Sequence, residues 1–295
     1  DLSLLYTGKA ELDAEFWDKH ADNLSSWKDE GNTFYKVSGN DLENWYPNQL
    51  VYDADKHGIE ASVGEIDNGV ATLELCKNFY RSHHSIWGIN ARNREQNFAI
   101  NLLMDPEIDF VSLLGQAGTG KTLLTLAAGL SQVLDEQRYH EIIVTRATVP
   151  MGDDIGFLPG TEEEKMAPWT RPLLDVMREY YSTQEITKML ENQVVEIAPL
   201  AFMRGRTFKN SWIVGDEMQN ATPGQMKMLL TRIGEGSKII ITGDIEQTDK
   251  RKKDNGLIDL CERLDNPVGG ITTCKLDTKD IQRHKIIASI LGMYC

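Results

Sequence analysis

The chain has 295 residues, 41% of them apolar, enough for one large domain or for a medium and a small one with separate cores. No apolar run approaches the ~18–20 residues of a membrane span and no signal-peptide pattern opens the chain. The four cysteines form no CxxC pair and have no His at ligand spacing, which argues against a zinc site or disulfide scaffold and fits the cytoplasm. A net charge of −14 counts against strong nonspecific nucleic-acid binding, although it does not forbid a local basic patch.

Residues 1–87 are acidic, with 7 Lys/Arg against 16 Asp/Glu. A helix-length segment, AELDAEFWDKHADNL (10–24), precedes four strand-like pieces: TFYKVS, NQLVYDA, IEASVGEI and GVATLELCK. Gly, Asn and Asp separate these pieces, and IDNG at 66–69 reads as a hairpin turn. The expectation is a small, mainly antiparallel β domain with one helix, serving as a structural or docking module. Because the first residue is Asp1 and not Met, the chain is read as a candidate fragment.

From about Ile89 the texture changes. DFVSLL, EIIVT, QVVEIA, SWIVG, KIIIT and GITTCKL alternate with NREQNFAINLLM, GKTLLTLAAGLSQVL and PGQMKMLLTRI. Strand-length apolar runs alternating with helical periods predict an α/β domain over 88–295, a parallel sheet with helices on both faces. Gln96 opens the first of these helices, and its amide can pair with the N6/N7 edge of adenine. Next comes Gly115-x4-Gly120-Lys121-Thr122, the P-loop pattern, between an apolar strand and an Ala/Leu-rich helix. There the backbone of Gly115, Gln116, Ala117, Gly118, Thr119 and Gly120 can cradle phosphates. Lys121 can reach the β- and γ-phosphates, and Thr122 offers a hydroxyl to Mg²⁺.

Further along, SWIVGDEMQN ends a strand with Asp216 as a second Mg²⁺ ligand and Glu217 as the group that polarises water. A carboxylate base aimed at water points to nucleotide hydrolysis. KIIITGDIEQTD then places Gln247 near the γ-phosphate, where it can report the nucleotide state. DKRKKDN at 249–255 is the one basic cluster, a solvated loop or a phosphate contact.

An upstream adenine Gln, a P-loop, DE and GDxxQ together resemble the nucleotide lobe of superfamily one helicases. TRATVPMGDDIGFLPGTEEEKMAPWTRPLLD, APLAFMRGRTFKNSWIVGDEMQNATPGQMKMLLTRIGEGSKIIITGD and DIQRH look like the PhoH family of ATPases. That resemblance covers about residues 88–295, with GFLPG and RGRT its most specific blocks. Gly215 departs from it, since the family usually has a bulkier apolar residue there; tolerance at a strand end is expected. LLYTG and YPNQLVYDAD look like the connecting segment of PIN–PhoH fusions.

The resemblance implies a RecA-like P-loop NTPase that uses ATP and Mg²⁺. Helicase lobes work in pairs, and this chain has one, so the resemblance further implies a homo-oligomeric, hexameric ring in which a neighbour supplies an arginine. Arg283 of DIQRH is the candidate, while Arg146, Arg204, Arg206 and Arg232 are either ion-pair partners or contacts to RNA or a neighbour. The leading expectation is an RNA-stimulated ATPase acting on single-stranded RNA, or alternatively DNA, with Phe157 and Leu158 of the GFLPG loop as a gripping or packing loop. The alternative is a slow nucleotide-gated switch or scaffold coupling the N-terminal domain to a protein partner; a nucleoside kinase fits less well.

Overall fold

The computed structural model describes residues 8–39, 42–54, 58–81, 84–147, 171, 173–247, 254–264 and 270–276. The GFLPG loop with Phe157 and Leu158, the basic run at 250–253 and Arg283 lie outside the described residues.

The N-terminal sheet contains β1 (Lys9–Glu11), β2 (Leu24–Asp29), β3 (Asn32–Ser38), β4 (Leu50–Tyr52), β5 (Glu60–Asp67) and β6 (Val70–Leu75). Their order is β1-β4-β5-β6-β3-β2, antiparallel throughout except for the parallel β1–β4 pair. Alternation puts Ala61, Val63, Ala71, Leu73 and Val37 on one face, where they form a small core with Phe16 and Leu42. Asn68 and Gly69, both at positive φ, close the turn expected from IDNG.

The 15-residue helix expected over 10–24 does not form. Its α-helical part is α1, Phe16–His20, followed by a short 3-10 turn, Ala21–Asn23. Tertiary pairing overrides helical period here. Lys9–Glu11 is taken by β4, and Phe16 is held among Trp17, His20 and Trp45. Beyond it Leu24–Asp29 becomes β2, an exposed edge strand whose Trp27 stacks on Phe34 across the pair, with ring centroids 5.3 Å apart.

All six expected apolar runs of the second region form strands: β7 (Phe110–Leu114), β8 (Glu141–Arg146), β9 (Val195–Pro199), β10 (Ser211–Asp216), β11 (Lys238–Gly243) and β12 (Ile271–Lys275). They build one wholly parallel sheet in the order β12-β7-β11-β10-β8-β9. Helices α2 (Arg94–Met104) and α3 (Lys121–Leu130) cover one face through Phe98, Leu103, Leu124 and Leu130. Helices Pro223–Leu230 and Gly256–Arg263 cover the other through Leu229 and Leu257. The central strands β7, β10 and β11 are buried along their whole length, so they lie between the two helical layers.

Gly215 sits in β10 where a side chain has no room. A Cβ there would lie 2.8 Å from Leu229 Cδ2 and 2.9 Å from Ile241 Cδ1, both in fully buried side chains. The smaller residue is thus matched by larger neighbours packed over it. Gly215→Val is expected to cost about 1–3 kcal/mol through overpacking. A denaturant midpoint equal to the parent's would show that Leu229 and Ile241 repack without strain.

Candidate nucleotide site

The C-terminal ends of β7, β8, β10 and β11 converge on one rim of the parallel sheet, where α/β sheets bind ligands. β7 ends at Leu114, and the loop that follows turns through Gly118 and Gly120, both near φ +90°. Gly120 is the N-cap of α3, and only glycine readily takes its left-handed conformation. The first N–H groups of α3 therefore open onto the loop, an arrangement whose helix dipole suits an anion. Lys121 Nζ donates to the carbonyls of Gly115 (2.6 Å) and Gln116 (2.9 Å), and Thr119 Oγ1 donates to the Gln116 carbonyl (2.8 Å). A phosphate would replace two carbonyl acceptors with charged oxygens, so Lys121 is already aimed into the loop.

Asp216 ends β10 and is nearly inaccessible. Thr122 Oγ1 donates to its Oδ1 at 3.0 Å and Thr242 Oγ1 to the same oxygen at 2.6 Å. Burial, and then the neighbouring Glu217, hold the Asp216 carboxyl above its usual range; Thr242, Arg146 and Thr122 oppose that shift. A divalent cation would reverse the balance, because a hydroxyl beside a carboxylate is a hard-oxygen donor pair that suits Mg²⁺. Among the described residues no group of three or more His, Cys, Asp or Glu gathers to hold a metal.

Glu217 has a left-handed backbone at φ 52° and is held from two sides. Parallel register sets Arg146 of β8 opposite Asp216, with Nη2 3.4 Å from Glu217 Oε1 and Nε 3.9 Å from Asp216 Oδ2. From the other side, Gln219 Nε2 donates to Glu217 Oε2, while Gln219 Oε1 accepts the Asp244 N–H at 3.1 Å. Gln219 therefore ties the DE carboxylate to the GDIEQ loop. Sequence reasoning did not assign it a role, although a Gln two residues past the DE pair was the available signal. Gln116 Nε2 makes a second tie, donating to Glu246 Oε2 at 2.9 Å. Gln247 lies exposed on that same loop.

Gln96 is buried in the first turn of α2 beside the P-loop. Its Oε1 accepts the Arg92 N–H at 3.0 Å, and its Nε2 donates to the Thr119 carbonyl at 3.1 Å. An amide has two N–H donors and two lone pairs, so each function has one more to offer a base edge. A cleft of about 500 Å³ joins these parts, lined by Arg92, Gln96, Lys121, Thr122, Tyr180 and Glu217 among others.

The remaining arginines separate by contact. Arg206 forms a bidentate pair with Glu196 (2.6 and 2.8 Å) and lies over Phe208, while Arg232 donates to the carbonyls of Arg206 and Met228. Both hold the loop after β9. Arg204 is exposed.

A strand–GxxxxGKT–helix unit on a parallel sheet, with its Thr hydrogen-bonded to a buried Asp at a nearby strand end, defines a P-loop NTPase. The family model for PhoH-like protein matches residues 88–295, and the chain belongs to that family. It is 40% identical over 245 residues to Protein PhoH2 of Bacillus subtilis (strain 168), covering 80% of this chain and 55% of that one. It is 37% identical over 206 residues to a PhoH-like protein of Synechocystis, covering 70% and 62%. The chain thus spans less than two thirds of the length of either relative. Among solved structures, Pif1 helicase from Candida albicans aligns with TM-score 0.36 and 15% identity, over 70% of this chain and 43% of that one. Among the described residues no helix is long and apolar enough to cross a membrane.

Proposed function

We propose that the chain is a Mg²⁺-dependent ATPase, with residues 1–87 as a small β domain and 88–295 as the ATPase domain. The observation that carries this is the 3.0 Å hydrogen bond between Thr122 and Asp216, which joins the start of the P-loop helix to the end of β10. Lys121 exchanges the Gly115 and Gln116 carbonyls for the β- and γ-phosphates. Thr122 and Asp216 would hold the metal ion, which when bound neutralises charge on the phosphate oxygens. Glu217, steadied by Arg146 and Gln219, takes the proton from the attacking water. Gln247 senses the γ-phosphate, and Gln96 and Tyr180 form the base end of the cleft.

Single-stranded RNA is the proposed polymer, and a hexameric ring the proposed assembly, with Arg283 of one subunit completing the site of the next. Phosphate release with and without RNA, alongside particle mass in solution, tests these parts together. A rate that rises with RNA and a mass of six chains is the expected result. A monomer whose rate ignores RNA would favour the slow nucleotide-gated switch, a reading supported by the close contacts between the N-terminal sheet and α2.

A further inference from the structure

The first turn of α2 has two jobs. Gln96 faces the P-loop, and a Cβ on Gly120 would come within 3.3 Å of its Nε2, so the two elements are closely fitted. Its three neighbours in that turn face the other way. Glu95 Oε1 meets Lys9 Nζ of β1 at 2.7 Å, and the Arg94 guanidinium lies 4.1 Å above the Tyr52 ring of β4. Asn97 Nδ2 donates to Glu60 Oε2 of β5 at 2.7 Å, and Asn97 Oδ1 accepts the Phe79 N–H at 2.9 Å.

Glu60 contacts two residues of this turn, Asn97 and Arg94, and Tyr80 besides. Besides Asn97, its carboxylate accepts the Tyr80 hydroxyl at 2.6 Å and lies 3.6 Å from Arg94 Nε, with its side chain only 16% exposed. A carboxylate shielded this far from water is a strong acceptor, and hydrogen bonds to a charged group exceed neutral ones. From β5, this one carboxylate thus braces the turn that carries Gln96 at two points, Arg94 and Asn97.

We propose that Glu60 is a positioning residue for the nucleotide, through which the N-terminal sheet sets ATP affinity by holding α2 and Gln96 against the P-loop. This rests on the ATP site proposed above. Reciprocity follows: whatever binds or displaces the N-terminal sheet shifts ATP affinity, and nucleotide occupancy shifts the sheet by the same factor.

The test uses the full chain and measures the Kd for MgATP with turnover in wild type, Glu60→Ala, Gln96→Ala, the double variant and Tyr80→Phe. Glu60→Ala is expected to weaken MgATP binding by about 5–30-fold, the range of a one- to two-kcal/mol contact, with KM rising and kcat nearly unchanged. The double variant should bind no more weakly than the worse single variant, because both act through one element. Tyr80→Phe removes only one hydroxyl from a side chain 37% exposed, so it keeps the fold, and it should show a smaller loss in the same direction. Unchanged Kd in Glu60→Ala and Tyr80→Phe, or strictly additive effects with Gln96→Ala, would overturn the proposal. A wild-type chain that binds no MgATP would overturn the ATP site itself, and this role with it.

Discussion

Glu217→Gln is expected to lower ATP turnover by about 10²–10⁴-fold, the usual contribution of a positioned general base. Nucleotide affinity should change little. The amide keeps the shape of the side chain and an oxygen for Gln219, but it cannot take a proton from water. It also loses the charge that faces Arg146 at 3.4 Å. Lys121 and the P-loop backbone, which would hold the phosphates, are untouched by the change. Phosphate release and MgATP binding, measured on the same preparation, separate the two effects. Turnover at the parent rate would remove Glu217 from the chemistry and move the role of base elsewhere on the rim.

Lys238→Met should flatten the dependence of stability on pH. Lys238 is fully buried at the start of β11, where Nζ donates to the carbonyls of Leu102 and Asp105, each at 2.8 Å. Those carbonyls lie at the C-terminal end of α2, where a cation or an N–H donor is welcome. Burial nonetheless pushes the ammonium pKa from 10.5 down to about 7, against the pull of Asp105. A neutral amine still has two N–H groups, one for each carbonyl. Since the folded pKa lies below the unfolded one, the unfolded chain binds the extra proton between about pH 7 and 10.5, and stability rises with pH across that window. At ~1.4 kcal/mol per pH unit, wild type should gain roughly 2–3 kcal/mol between pH 7 and pH 9 that the variant lacks. Denaturant titrations of both chains at the two pH values measure it. Parallel pH profiles would mean that Lys238 stays charged when buried.

The parallel sheet was legible in the sequence because its strands are buried on both faces and so read as unbroken apolar runs, as SWIVG and KIIIT do. The P-loop was legible because its chemistry is local: three glycines, a Lys and a Thr lie within eight consecutive residues. The N-terminal segment was not. AELDAEFWDKHADNL has a helical period, yet its ends are claimed by β4 and β3, partners that no local pattern reveals. The same holds inside the site. Arg146 faces the acidic pair only through the β8–β10 register, and Gln219 reaches Asp244 only because β10 and β11 are neighbours. Glu60 is one acid among many in an acidic segment until Arg94, Asn97 and Tyr80 are seen to surround it.

Thermal denaturation with and without MgATP, for wild type and Lys121→Ala, tests the central claim most directly. At a nucleotide concentration of about 100 times Kd, binding to the folded state alone adds about 2.7 kcal/mol. Wild type should therefore show a clear rise in Tm, and Lys121→Ala little or none. No shift in wild type, or an equal shift in both chains, would contradict a nucleotide site built on this loop.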